Sequence, residues 1–269
     1  MSHAPASNAA HPDRVLEVVD IERRFGGLVA LTGVSMHINR GEIFGLVGPN
    51  GSGKTTMTNA ITGFYPPQKG QIFLHGQDIT GMPPHQVARQ GVARTFQNLA
   101  LFNGMTVLDN ILLGRHVHMR PSVWRTALYP WFARDEEIAQ REQVEEVIDF
   151  MQLQGVRDEL VDSIPIGLKK RVELARALVA EPSFLILDEP MAGMNQEEKE
   201  YMARFVLDAR DERGVTVLLI EHHMDIITGI CDRMLVLSYG ELIDTGIPRE
   251  VIRNPRVIKA YLGGAKDVA

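Results

Sequence analysis

The chain holds one cysteine in 269 residues, Cys231, so no internal disulfide can form and a reducing compartment is expected. Cys231 ends the apolar stretch that begins at Ile226, which favours a packed core residue over a nucleophile. No run approaches the roughly 18 consecutive apolar residues that span a bilayer. Excess positive charge is missing too. The formal net charge is −6, which argues against a general nucleic-acid surface. There are no sustained heptads, internal repeats or low-complexity core. Residues 1–13 are rich in Ala, Ser, His and Pro but lack a basic start and an apolar stretch. A disordered tail is expected there rather than a signal peptide. What remains is ordinary globular composition, 45% hydrophobic and 23% charged, enough for one large domain with or without an insertion.

Gly48-Pro49-Asn50-Gly51-Ser52-Gly53-Lys54-Thr55 fits G-x-x-x-x-G-K-[ST] throughout. Ile43–Val47 before it reads as a buried strand and Thr55–Phe64 after it as a helix, the context this motif requires. Glycines at 48, 51 and 53 let backbone N–H groups turn around phosphates with no Cβ in the way. The helix N-terminus points its positive end at the same anion. Lys54 is expected on the β- and γ-phosphates and Thr55 on Mg²⁺. The candidate nucleotide contacts are therefore the whole run Gly48, Pro49, Asn50, Gly51, Ser52, Gly53, Lys54, Thr55 and Thr56.

Two further apolar strands end in polar groups. Phe184–Leu187 delivers Asp188 and Glu189; Val217–Ile220 delivers Glu221 and His222. In open α/β sheets ligands bind at the carboxyl ends of the strands. Asp188 is a candidate Mg²⁺ ligand, directly or through water, and Glu189 a candidate base for an attacking water. His222 is a candidate for holding the γ-phosphate or that water. His223 follows directly, and only one of the two is expected to point inward.

Around these motifs, Val15–Glu22 and Val29–Ile38 read as strands joined at Gly26-Gly27, and Gln71–His75 as another. Residues 106–154 read as helical, broken at Pro121 and Pro130, with Trp124 and Trp131 in the broken part. A helix is expected over Lys169–Ala180, then Gln196–Glu212 and Met224–Ile230, with strands at Val215–Ile220 and Arg233–Ser238. The alternation implies a mostly parallel sheet covered on both faces.

The glycine loop, Leu185-Ile186-Leu187-Asp188-Glu189-Pro190 and the strand-terminal His222 together resemble the nucleotide-binding subunit of ABC transporters, over about residues 14–262. The resemblance implies a P-loop NTPase fold: a mostly parallel core sheet, an antiparallel β subdomain and a helical subdomain inserted at about residues 100–166. On this reading residues 14–269 form a single ATPase domain binding ATP and Mg²⁺. Phe25 matches the family's adenine-stacking aromatic. Gln97 matches the glutamine that senses Mg²⁺ and the membrane partner, so it counts with Lys54, Glu189 and His222 in the catalytic set and with Thr55 and Asp188 in the metal set.

The finer resemblance is to the ATPases of branched-chain amino acid importers. Phe25–Leu31, Met191–Asn195 and Asn254–Gly263 carry it, and the stretch 114–140 falls where those proteins have an insertion. It implies membrane-embedded permease subunits, a second ATPase subunit (a different chain or a second copy), an extracytoplasmic solute-binding protein, and a peripheral position on the cytoplasmic face of the inner membrane. Branched-chain amino acids are the default cargo; urea, amides and aromatic acids stay open. Two other readings are carried: a nucleotide-binding regulatory subunit, and a soluble ABC ATPase not tied to transport. An exporter is disfavoured by the C-terminal resemblance.

The departure lies in the family's signature, usually Leu-Ser-Gly-Gly-Gln. This chain has Ile164-Pro165-Ile166-Gly167-Leu168. Pro165 supplies neither a hydroxyl nor an N–H, and Ile166 adds bulk where a backbone should approach phosphate. Gly167 is the expected contact to nucleotide on an opposing subunit. Lys169, Lys170 and Arg171 are expected on a solvated helix face.

Overall fold

In a computed structural model of the chain, residues 13–95, 99–117 and 141–263 are described. Their strands, in chain order, are β1 (Arg14–Phe25), β2 (Leu28–Asn39), β3 (Ile43–Val47), β4 (Lys69–Leu74), β5 (Gln77–Asp78), β6 (Val92–Arg94), β7 (Phe184–Asp188), β8 (Thr216–Ile220), β9 (Arg233–Ser238) and β10 (Glu241–Gly246). They form two sheets. An antiparallel one has the order β2-β1-β4-β5, and a six-stranded one the order β10-β9-β3-β8-β7-β6. In the larger sheet every pairing is parallel except β9 with β10.

The reason is legible strand by strand. β3, β7 and β8 are buried at every position, as parallel strands covered on both faces must be. Successive side chains alternate between two cores. Ile43, Leu185, Leu187, Val217 and Leu219 face one core; Phe44, Phe184, Ile186, Leu218 and Ile220 face the other. The first core continues into the helical residues Val107, Ile111, Val144 and Ile148. The second is closed by Met57 and Ile61 of the helix Lys54–Ile61 and by Val15, Leu16 and Ile38 of the antiparallel sheet. Cys231 is buried in the first core, as its apolar context suggests. Burial pushes its thiol well above the ordinary range, with the nearby acids Asp232, Glu221 and Glu42 adding to the shift.

Several elements differ from expectation. The short strands β5 and β6 and the strand β10 carry too few alternating residues to announce themselves. The helix expected from Lys169 begins at Ile166, because Pro165, extended at φ −59°, starts it and has no N–H to lose. Lys170 and Arg171 do not form a solvated face. Lys170 is buried, 3.8 Å from Glu173, and Arg171 is half-buried with its guanidinium on the carbonyls of Met151 and Gln152. Trp124, Trp131 and the two prolines near them, like most of the tail and Gln97, lie outside the described residues.

Phe184 is completely buried between the sheets. Phe184→Ala is expected to cost about 3–5 kcal/mol, read as a lowered denaturant midpoint at unchanged slope.

Candidate active site at the strand ends

Because β9, β3, β8, β7 and β6 run parallel, their carboxyl ends share one edge of the sheet. The glycine loop leaves β3 there, Glu189 follows β7, Glu221-His222 follows β8, and Tyr239-Gly240 follows β9.

The glycine loop is held by its neighbours' backbone. A Cβ at Gly48 would meet the carbonyl of Leu237 at 2.2 Å, and one at Gly53 (φ 109°) the carbonyl of Ala30 at 2.6 Å. Only glycine lets the loop sit this close. Gly240 donates to Ser52 O at 3.0 Å and accepts from Thr32 at 2.8 Å, so the β1–β2 hairpin and the β9–β10 turn brace the loop from two sides. Lys54 folds back, its Nζ donating to Gly48 O at 2.8 Å and Pro49 O at 3.0 Å. Burial lowers its pKa, partly offset by the charges of Glu189 and Asp188. The hydroxyl of Ser52 is buried with no hydrogen-bond partner. A glycine cradle, a desolvated ammonium and an orphaned hydroxyl are what a bound phosphate chain would satisfy.

Asp188 is buried and ion-paired with Arg94, Nη2 to Oδ2 at 2.8 Å, while Nη1 of Arg94 donates to Asn59 Oδ1 at 2.7 Å. Arg94 thus ties the helix of the glycine loop to the strand carrying Asp188. Thr95 accepts from Asp188 N at 3.2 Å and donates its own N–H to Ile186 O at 2.9 Å. Neither residue was singled out by the sequence; a three-residue strand paired across a long chain separation leaves no local signal. Thr55, exposed in the first turn, and Asp188, two strands away, offer the hard oxygen donors that suit Mg²⁺. Among the described residues no three His, Cys, Asp or Glu side chains gather to hold an ion by themselves. The donor set fits an ion bound largely through phosphate and water.

Glu189 stands in the left-handed region at φ 51°, its N–H donating to Ile220 O at 3.0 Å. His222 Nε2 lies 2.6 Å from Glu189 Oε1. A carboxylate oxygen accepts, so the tautomer with its proton on Nε2 is the one that makes this contact a hydrogen bond. His223 turns away to Lys199, 3.2 Å from its Nζ, which settles which of the two histidines faces inward. Glu221, passed over as strand-end polarity, is buried and accepts from Met191 N at 3.0 Å and His222 N at 3.2 Å. Burial raises its pKa, against those two hydrogen bonds.

The signature segment enters the helix Ile166–Leu178 at its N-terminus. Gly167 is buried in the first helical turn, and a Cβ there would meet Glu198 Oε1 at 2.3 Å. Glu198 belongs to a capping box with Asn195 at the start of the helix Gln196–Arg213. Phe25, at the tip of the β1–β2 hairpin, remains 39% exposed.

This edge, with its glycine loop, acid pair and strand-terminal histidine, defines a P-loop nucleotide-hydrolase fold. Comparison narrows it. The ABC transporter family model matches residues 31–192, and a branched-chain amino acid ATP-binding cassette transporter model matches residues 245–267. The high-affinity branched-chain amino acid transport ATP-binding protein BraF of Pseudomonas aeruginosa is 40% identical, covering 93% of this chain and 98% of its own. LivG of Escherichia coli, of the same description, is 38% identical over the same shares. Among solved structures, the ADP conformation of an ATP-binding cassette of an ABC transporter superposes with a TM-score of 0.82 at 32% identity, covering 93% and 99% of the two chains. A nucleotide-free cassette gives 0.81 at 31%, covering 92% and 98%. The chain belongs to the ABC transporter ATP-binding family, and it binds ATP as that family does.

Lys54→Ala is expected to weaken ATP binding by at least tenfold, measured by titration calorimetry. In the native chain, affinity should fall as pH rises into the alkaline range. The fall should begin below the ordinary lysine titration, because the unbound ammonium has a lowered pKa and the phosphates bind its protonated form.

Proposed function

We propose that this chain hydrolyses ATP to drive uptake of branched-chain amino acids, or a related small polar or aromatic solute, through a membrane importer. The observation that carries the chemistry is the 2.6 Å bond from His222 to Glu189 at the same sheet edge as the glycine loop. The relatives' printed names and the match at residues 245–267 support the cargo class.

In this reading Lys54 exchanges its two carbonyl partners for the β- and γ-phosphate oxygens, and the glycine-loop amides with Ser52 complete the cradle. Glu189 accepts the proton of the attacking water, and His222 holds the Glu189 carboxylate from the other side. Glu221 fixes the backbone of both His222 and the loop after Glu189, so the acid and the histidine keep their relative positions. Mg²⁺, held by Thr55 and Asp188 with Gln97 as a further ligand, would neutralise charge on the phosphates when bound. Phe25 would stack on the adenine.

Hydrolysis would be coupled to a permease. A groove of about 340 Å³ lies where Ala88, Val92 and Arg94 of the core face Phe102, Leu113 and Arg176. Its apolar floor suits a short segment of a membrane-embedded subunit. No described helix is long and apolar enough to cross a membrane; the place on the cytoplasmic face of the membrane follows from the permease partner. The extracytoplasmic solute-binding protein would act through the permease rather than on this chain. For the second ATPase subunit, the donor-poor Pro165 favours a different chain over a second copy.

Glu189→Gln is expected to keep ATP binding and lose turnover by a factor of about 10²–10⁴; unchanged turnover would remove Glu189 as the base. With Mg-ATP, light scattering on the same variant should report the mass of one chain, 30.0 kDa. A doubled mass would overturn the preference for a heteromeric partner.

A further inference from the structure

The aromatic at the hairpin tip is not alone. Arg23 lies two residues before it, with its guanidinium carbon 4.8 Å from the centroid of Phe25 and 5.8 Å from that of Tyr65. The two rings meet edge to face, 5.5 Å apart at 82°. Nη1 of Arg23 donates to Pro66 O at 2.7 Å, and its Nε is buried with no hydrogen-bond partner. The ring contacts therefore hold the head of this side chain together with a single hydrogen bond. Arg24 N donates to Gln68 Oε1 at 2.8 Å, and Gln68 N to Glu22 O at 2.8 Å.

These contacts join the hairpin to the segment that follows the helix Lys54–Ile61. The same helix thus begins at the glycine loop and ends beside Tyr65, which abuts Phe25. A few residues beyond its tip, the hairpin touches the loop again, where Ala30 O crowds Gly53. Phe25 is consequently held at a fixed place relative to the phosphate cradle. The Arg23 guanidinium lies over its ring and Tyr65 packs against it edge to face, while 39% of the residue stays open to solvent.

We propose that Arg23, braced by Tyr65 and Pro66, is a positioning residue that presents the solvent-open part of the Phe25 ring to the heteroaromatic base of the bound nucleotide. The inference rests on the reading of Phe25 as the base platform. The physical argument is preorganisation. A phenylalanine at a hairpin tip has rotamer freedom to lose on stacking, and a guanidinium held against the ring removes that freedom before the base arrives. The triphosphate is gripped by other groups, so the effect must appear in the base and not in the phosphates.

The test measures binding of Mg-ATP and of inorganic tripolyphosphate with Mg²⁺ to the full chain and to Arg23→Gln, Arg23→Lys, Phe25→Ala and Lys54→Ala. Thermal unfolding of each variant is followed in parallel. Glutamine can still donate to Pro66 O but loses the cation; lysine keeps it. Arg23→Gln is expected to weaken ATP by about three- to fivefold, leave tripolyphosphate unchanged, and be largely rescued in Arg23→Lys. Equal ATP affinity in Arg23→Gln and the native chain overturns the proposal. Equal weakening of both ligands also overturns it, since Arg23 would then be acting through the hairpin's support of the loop. If Phe25→Ala leaves ATP binding intact while Lys54→Ala abolishes it, the platform reading fails and the positioning role falls with it. If Lys54→Ala changes neither ligand, the glycine-loop reading is what has failed.

Discussion

Everything at the site depends on the parallel pairing of β3 with β8 and of β8 with β7. Ile43 to Leu46 align with Val217 to Ile220, and Phe184 to Asp188 with Thr216 to Ile220. With neighbouring strands about 4.8 Å apart, this register places the ends of three strands side by side, and with them the glycine loop, His222 and Glu189. A shift of one residue in any of these strands would exchange its two faces between the two cores. Burial of nearly every side chain in them makes that shift prohibitively expensive, so the precision of the site comes from the packing of residues with no chemistry of their own.

On that frame the polar groups act as ties between elements. Arg94 links Asp188 to the glycine-loop helix through Asn59. Glu221 links the backbone after β7 to the backbone after β8. The capping box of Asn195 and Glu198 connects the segment after the acid pair to the buried glycine of the signature helix. The ties through Arg94 and Glu221 use groups that are buried or half-buried, where a hydrogen bond is worth most and an unmade one costs most.

The sequence showed the parts of this that are local. The glycine motif, the strands Ile43–Val47 and Arg233–Ser238, the helix Met224–Ile230 and the pairing of an apolar strand with terminal acids were all legible from pattern. Thr106 was readable as a helix start, and its hydroxyl indeed accepts from Asp109 N. Long-range register hid the rest. Arg94 meets Asp188 only because β6 lies beside β7. Lys170 looks like surface charge until the helix Ile166–Leu178 is laid against its neighbours. Asn195 closes the loop after the acid pair, and its cap shows only in the structure: its side-chain oxygen accepts from the N3 amide of Glu198.

Cys231 closes the account in a different way. The chain's one thiol sits in the core beneath the central sheet, 9% exposed and held protonated by burial. Thiol-directed reagents attack the thiolate, and here burial disfavours the ionised form and covers most of the approach while the sheet is closed. Its modification rate therefore reports how often this part of the core opens. Equally, a cysteine introduced on the surface could carry a label of its own without first removing the native one.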